Sequence, residues 1–126
     1  MADENKISYE IRGAIYQVYN NLGPGLLESV YASALAFELT KKQLEVRKEV
    51  TLPVNYEGQK LNLGFRIDLL VNKKVLIEIK SVEAIADVHH KQTLTYLRLS
   101  NLKLGILVNF NVNNINEGIF RKVNDL

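Results

Sequence analysis

The chain has 126 residues, 47% of them hydrophobic and 24% charged, with a formal net charge of +2. That length and balance suit one domain, residues 1–126, with one hydrophobic core, and exclude wholesale disorder. The absence of cysteine excludes disulfides and thiolate metal sites and fits a reducing compartment, and so mild a positive charge argues against duplex binding by charge alone.

The opening stretch Met1–Glu10 has no apolar run and does not read as a signal peptide. No apolar stretch approaches the length of a membrane span. We expect a soluble, cytoplasmic protein with no membrane association. The first periodic segment places Ile7, Ile11, Ala14, Ile15, Val18 and Leu22 on one face of a helix, which Gly23-Pro24-Gly25 stops. A second helix, with Leu27, Tyr31, Ala34 and Leu35 on one side, runs to about Lys42. The period then falls from about 3.6 to 2. Val46, Val50, Leu52 and Val54 alternate with polar residues up to the Glu57-Gly58 turn. Leu61 to Val71 forms a second alternating strand and Val75 to Ile79 a third, across the interruption Asn72-Lys73-Lys74. These three read as an antiparallel meander. A helix from about Ala86 to Ser100 follows, with Val88, Leu94 and Leu97 among its apolar residues. Leu104 to Phe110 is almost continuously apolar, as in a strand buried on both faces, and Ile119 to Val123 forms a last short strand. The order α-α-β-β-β-α-β-β predicts an α/β (α+β mixed) fold, a mixed sheet flanked by helices. The basic groups Lys41, Lys42, Arg47, Lys48 and Lys73, Lys74 read as solvated surface.

The hairpin around 72–74 carries the first chemical signal. If Val71 pairs with Val75, Asp68 falls opposite Glu78, and opposed residues share a face with Cβ atoms roughly 4.5–5.5 Å apart. Lys80, two residues on, points to that face, while Ile67, Leu69, Ile77 and Ile79 point to the other and into a core. This depends on an odd-numbered loop; a two-residue turn would send Asp68 to the opposite face. Two carboxylates so close repel, which destabilises the hairpin or raises one pKa. A hard divalent cation such as Mg²⁺ or Mn²⁺ resolves the conflict, with the Ile79 carbonyl a further candidate ligand. The alternative is an ordinary amphipathic hairpin with one wet face.

Glu28 and Tyr31 lie one helical turn apart, as do Gln92 and Tyr96 on the later helix. Each pair alone fits ordinary helix chemistry: an early acidic residue suits the helix dipole, and polar residues line any amphipathic helix. Taken in order, however, Gly25-x-x-Glu28-x-x-Tyr31, then Asp68, then Glu78-Ile79-Lys80, then Gln92-x-x-x-Tyr96 and Leu104 to Asn111 resemble the GxxExxY family of the PD-(D/E)xK nuclease superfamily. The resemblance spans about Ile7 to Val123. It implies a restriction-endonuclease-like core in which Glu28, Asp68, Glu78 and the Ile79 carbonyl ligate Mg²⁺ or Mn²⁺. Lys80 would position or deprotonate the nucleophile or stabilise transition-state charge. Gln92 would orient the water or Lys80, and Tyr96 and Tyr31 belong with the substrate. Adjacent His89 and His90 diverge by about 100° on a helix and are left outside the metal set.

The implied function is divalent-metal-dependent hydrolysis of phosphodiester bonds in DNA or RNA. A core this small offers little surface against the roughly 1,000–2,500 Å² of a specific protein–DNA interface. Recognition of backbone or structure is therefore expected, with a homodimer or protein partner supplying the rest. The alternative is a non-catalytic nucleic-acid-binding or protein-interaction module that keeps the nuclease fold.

Overall fold

The structure, a computed structural model, describes residues 3–126, apart from the side chains of residues 62 and 63. Helices α1 (Glu4–Leu22) and α2 (Glu28–Lys41) precede strands β1 (Val46–Tyr56), β2 (Gln59–Val71) and β3 (Val75–Lys80). Helix α3 (Asp87–Ser100) then leads to β4 (Leu104–Asn109), a single 3-10 turn at Ile115–Gly118, and β5 (Ile119–Val123). The strands form one mixed sheet in sequence order, with β3 and β4 parallel and the other neighbours antiparallel. This is the element order expected for a restriction-endonuclease-like core. No helix among the described residues is long and apolar enough to cross a membrane.

Helix α1 starts where Asp3 caps the Lys6 amide at 2.8 Å and ends at Gly23, whose φ of 70° suits a residue without a Cβ. It buries Ile7, Ile11, Ala14, Ile15 and Val18. With Tyr31, Leu35 and Leu39 of α2 they cover one face of the sheet, against Leu69, Val71, Val75, Ile77, Ile79, Leu104, Ile106 and Val108. On the opposite face Leu97 of α3 packs on Val50, Phe65, Ile67, Leu70 and Leu76. Burying each of these aliphatic side chains contributes roughly 1.5–3 kcal/mol before entropy is counted. Strand β4 is buried throughout, as its apolar run requires.

Two apolar positions depart from expectation. Leu22, in the last turn of α1, is exposed, and so is Leu27, which precedes the first turn of α2 in an extended conformation and so leaves the buried stripe. On α3, Val88 and Leu94 face solvent, because the helix presents Thr93 and Leu97, one turn apart, to the sheet.

The meander has the expected register: Val71 pairs with Val75, Leu70 with Leu76 and Leu69 with Ile77. Asn72 and Lys73 both have positive φ, 52° and 58°, and the Val71 carbonyl accepts from the Lys74 amide at 3.0 Å. Asn72 also exchanges hydrogen bonds with the backbone of Glu45, at 2.8 Å each way, which pins the turn to the start of β1. One expectation fails. Ile67 does not join Leu69, Ile77 and Ile79; it faces α3. Strict alternation breaks where Glu49 (φ 53°) of β1 faces Asp68 of β2, and beyond that pair both strands exchange faces. Val46 accordingly packs towards α1 and α2, whereas Val50, Leu52 and Val54 pack towards α3.

Lys73 is an L-residue held in the left-handed region, a conformation that glycine adopts without penalty. Lys73→Gly should raise stability by about 0.5–1 kcal/mol in urea denaturation; a clear loss would mean that its side chain holds the turn.

Candidate active site

The β2–β3 ladder ends one pair short of the acidic residues. Past Leu69 and Ile77 the strands part, and side chains replace backbone partners. The Ile79 amide donates to Asp68 Oδ2 at 2.7 Å, and the Asp68 amide points to Glu78 Oε2 at 3.4 Å. Each carboxylate thus serves the opposite strand's freed N–H, and these bonds bring the two acids together where the ladder no longer pairs them. Glu78 is only 5% exposed, and its Oε1 is buried with no hydrogen-bond partner among the described residues. Burial first, and then the charge of Asp68 and a hydrogen bond to its side chain, push the Glu78 carboxyl up to about 9; the Asp68 amide and the charge of Lys80 act in the opposite sense. The repulsion foreseen in the sequence is relieved by a retained proton.

Lys80 ends β3, half-buried, two residues beyond Glu78 and level with Asn109 of β4. Tyr96 stacks on Phe65, with ring centroids 4.4 Å apart, and its hydroxyl titrates above the usual range because of burial and the charges of Glu78 and Asp68. It therefore borders the acid pair from α3. Gln92, one turn earlier, is exposed. His89 Nδ1 accepts from the Ala86 amide at 3.0 Å, and His90 lies edge-on to Phe120.

A cleft of about 310 Å³ opens on the α2 side, lined by Glu28, Asp68, Ile79, Lys48, Glu49 and Arg66 together with small residues of α2. Glu28 thus shares a wall with Asp68, but its Oε2 accepts from the Ser81 amide at 3.3 Å. No three Asp, Glu or His side chains among the described residues are gathered closely enough to hold one ion. Asp68 and Glu78 are brought together; Glu28 stands apart from them. Tyr31 is fully buried against Phe110, and its hydroxyl donates to the Gly23 carbonyl (2.6 Å) and accepts from the Leu26 amide (3.1 Å). It shapes the loop before Glu28 and is not a surface for substrate, which corrects the role expected for it.

A family model of the PD-(D/E)XK nuclease superfamily matches residues 5–122. The chain belongs to this superfamily. No curated protein matches it. Among solved structures, the crystal structure of SSO0001 is similar, with 26% identity and a TM-score of 0.49; the match covers 95% of this chain and 62% of that one.

Within this PD-(D/E)XK chain, the donor chemistry at Asp68 and Glu78 fits a hard divalent cation. Only oxygens are offered, one of them is buried without a partner, and the pair keeps a proton in the absence of a counter-charge. The residues that brace this pair escaped the sequence reading. Ser81 Oγ donates to the Leu26 carbonyl at 2.6 Å and joins the end of β3 to the loop before α2. Asn109, 2% exposed, bonds both backbone groups of Val82 and the Asn111 amide, fixing the chain just after Lys80. Its signal was available: it is the one polar side chain within the apolar run Leu104–Phe110. Arg66 had no such signal, because the face exchange at Glu49 and Asp68 brings it to the cleft, which Lys48 reaches on the face that Val46 starts.

The retained proton has a sign. The Glu78 carboxyl, near 4.5 in its ordinary state, sits near 9 in the fold, so unfolding between those values releases a proton. Metal-free stability should therefore fall as pH rises through that window, by at most about 1.4 kcal/mol per pH unit from this group. Glu78→Gln should remove that component and melt higher than the parent at pH 8 without metal. Parallel pH profiles for the two proteins would refute it.

Proposed function

We propose that this protein is a divalent-metal-dependent nuclease of the GxxExxY branch, acting on the phosphodiester backbone of a nucleic acid. The observation that carries the reading is the pairing of half-buried Asp68 with buried Glu78, which has one carboxylate oxygen unpartnered and Lys80 two residues away. The GxxExxY assignment draws support from what each motif residue does. Gly25 takes a φ of 96°, Tyr31 ties the loop, and Glu28 faces the cleft while receiving the Ser81 amide.

In this reading Asp68, Glu78 and the Ile79 carbonyl hold Mg²⁺ or Mn²⁺, with Glu28 as a third acidic group on the same cleft. Bound there, the ion would polarise the phosphate and supply an activated water. Asp68 and Glu78 fix its position through their own backbone-anchored geometry. Lys80, on the Glu78 side of β3, orients the nucleophile or stabilises the negative charge that accumulates on the phosphoryl oxygens. Tyr96 contacts a phosphate oxygen, and Gln92, exposed one turn earlier on α3, orients water. Recognition is of backbone or structure, and a second copy or a protein partner would supply any sequence reading.

Purified protein incubated with labelled single- and double-stranded DNA and RNA should cleave at least one of them in Mg²⁺ or Mn²⁺ and none in EDTA. Glu78→Ala and Lys80→Ala should each lower the rate by about a hundredfold or more. Substrates that stay intact under every condition would favour the non-catalytic binding module instead.

A further inference from the structure

Two further cations beside the acid pair, on the β1–β2 wall of the cleft, have no role in the chemistry above. Arg66 lies on β2 two residues before Asp68 and lines the same cleft, and its guanidinium has no hydrogen-bond or ion-pair partner among the described residues. Lys48 reaches the cleft from β1, with its Nζ 3.4 Å from Ser33 Oγ. Other basic side chains are differently placed: Lys41 pairs with Glu38 at 3.3 Å, Lys42 with Glu10 at 3.2 Å and Lys91 with Asp87 at 3.0 Å. The backbone itself directs Lys48 and Arg66 inward. Lys48 lies on the face that Val46 starts, and the exchange of faces at Glu49, with its positive φ, brings Arg66 and Asp68 to the same wall.

We propose that Lys48 and Arg66 form a two-point clamp for a backbone phosphate flanking the scissile one, so that the nucleic acid strand runs along the β1–β2 wall of the cleft. This rests on the nuclease reading and adds the path of the substrate to it. Charge supports the assignment. Glu28, Glu49 and Asp68 outnumber Lys48 and Arg66 by one on this wall, so the bare cleft repels a polyanion. A divalent ion at Asp68 reverses the sign and leaves the two cations free to take phosphate oxygens, Arg66 through two parallel N–H donors. Neither side chain reads a base edge, which matches recognition of backbone rather than sequence. Binding is therefore coupled to the metal, and is weak in EDTA.

The test is fluorescence anisotropy with single- and double-stranded oligonucleotides in Ca²⁺, titrated over salt. The double variant Lys48→Ala/Arg66→Ala should lose two phosphate contacts. The slope of log affinity against log salt should then shrink by about 1.4 for a single strand or 1.8 for a duplex, with affinity at least about tenfold weaker. Arg47→Ala/Lys73→Ala, which removes the same charge away from the cleft, should stay within about twofold. In cleavage assays the clamp variant should raise KM far more than it lowers kcat. An unchanged slope, or an equal loss in the control, overturns the clamp while wild-type cleavage leaves the nuclease reading standing. A wild-type protein that neither binds nor cleaves nucleic acid overturns both.

Discussion

Where β2 and β3 separate, two backbone amides lose their ladder partners at the edge of a core, and an unpartnered buried amide costs about as much as a lost hydrogen bond. Asp68 and Glu78 fill that role: the Ile79 amide goes to Asp68 and the Asp68 amide faces Glu78. The same exchange that satisfies the backbone drives two acids into contact in a poorly solvated place. The rest of the site follows from this conflict. An acid pair held by backbone hydrogen bonds cannot swing apart to relieve its repulsion, so it keeps a proton or takes up a cation. Burial of Glu78 makes the first outcome hold at neutral pH in the free protein, and the proposed divalent ion would have to displace that proton.

Around that pair the chain is braced at three places. The turn at Asn72 and Lys73 is tied to Glu45 and sets the register. Ser81 bonds to Leu26 and Glu28, which ties the end of β3 to the start of α2. Asn109 holds Val82 from the neighbouring strand. Tyr31 does for the 23–26 loop what Asn109 does for residues 81–82, spending its hydroxyl on backbone groups that no regular element satisfies. The side chains proposed for chemistry therefore stand on regular elements whose junctions are tied by these hydrogen bonds.

Much of this was legible from the residues alone. Element order follows from the switch between periods of 3.6 and 2, and the Asp68–Glu78 juxtaposition follows from counting back across an odd-numbered loop. What periodicity could not give was the exchange of faces at Glu49 and Asp68. A single left-handed residue leaves no mark in a pattern of apolar and polar letters, and it sent Ile67 to the opposite core and Arg66 to the cleft. Helix stripes were misread where capping geometry intervened, as at Leu27. Tyr31 and Glu28 show the limit of spacing: one helical turn places two residues on one side of a helix, but burial decides that one braces the loop while the other faces the cleft.

The central claim is that the carboxyl groups of Asp68 and Glu78 jointly hold one hard cation. Anomalous diffraction from crystals soaked in Mn²⁺ tests it most directly. The account expects a single strong peak between those two side chains, about 2.0–2.2 Å from an oxygen of each, and its disappearance in Asp68→Asn crystals. A manganese peak elsewhere on the molecule, with Glu78 still hydrogen-bonded to Asp68, would contradict it.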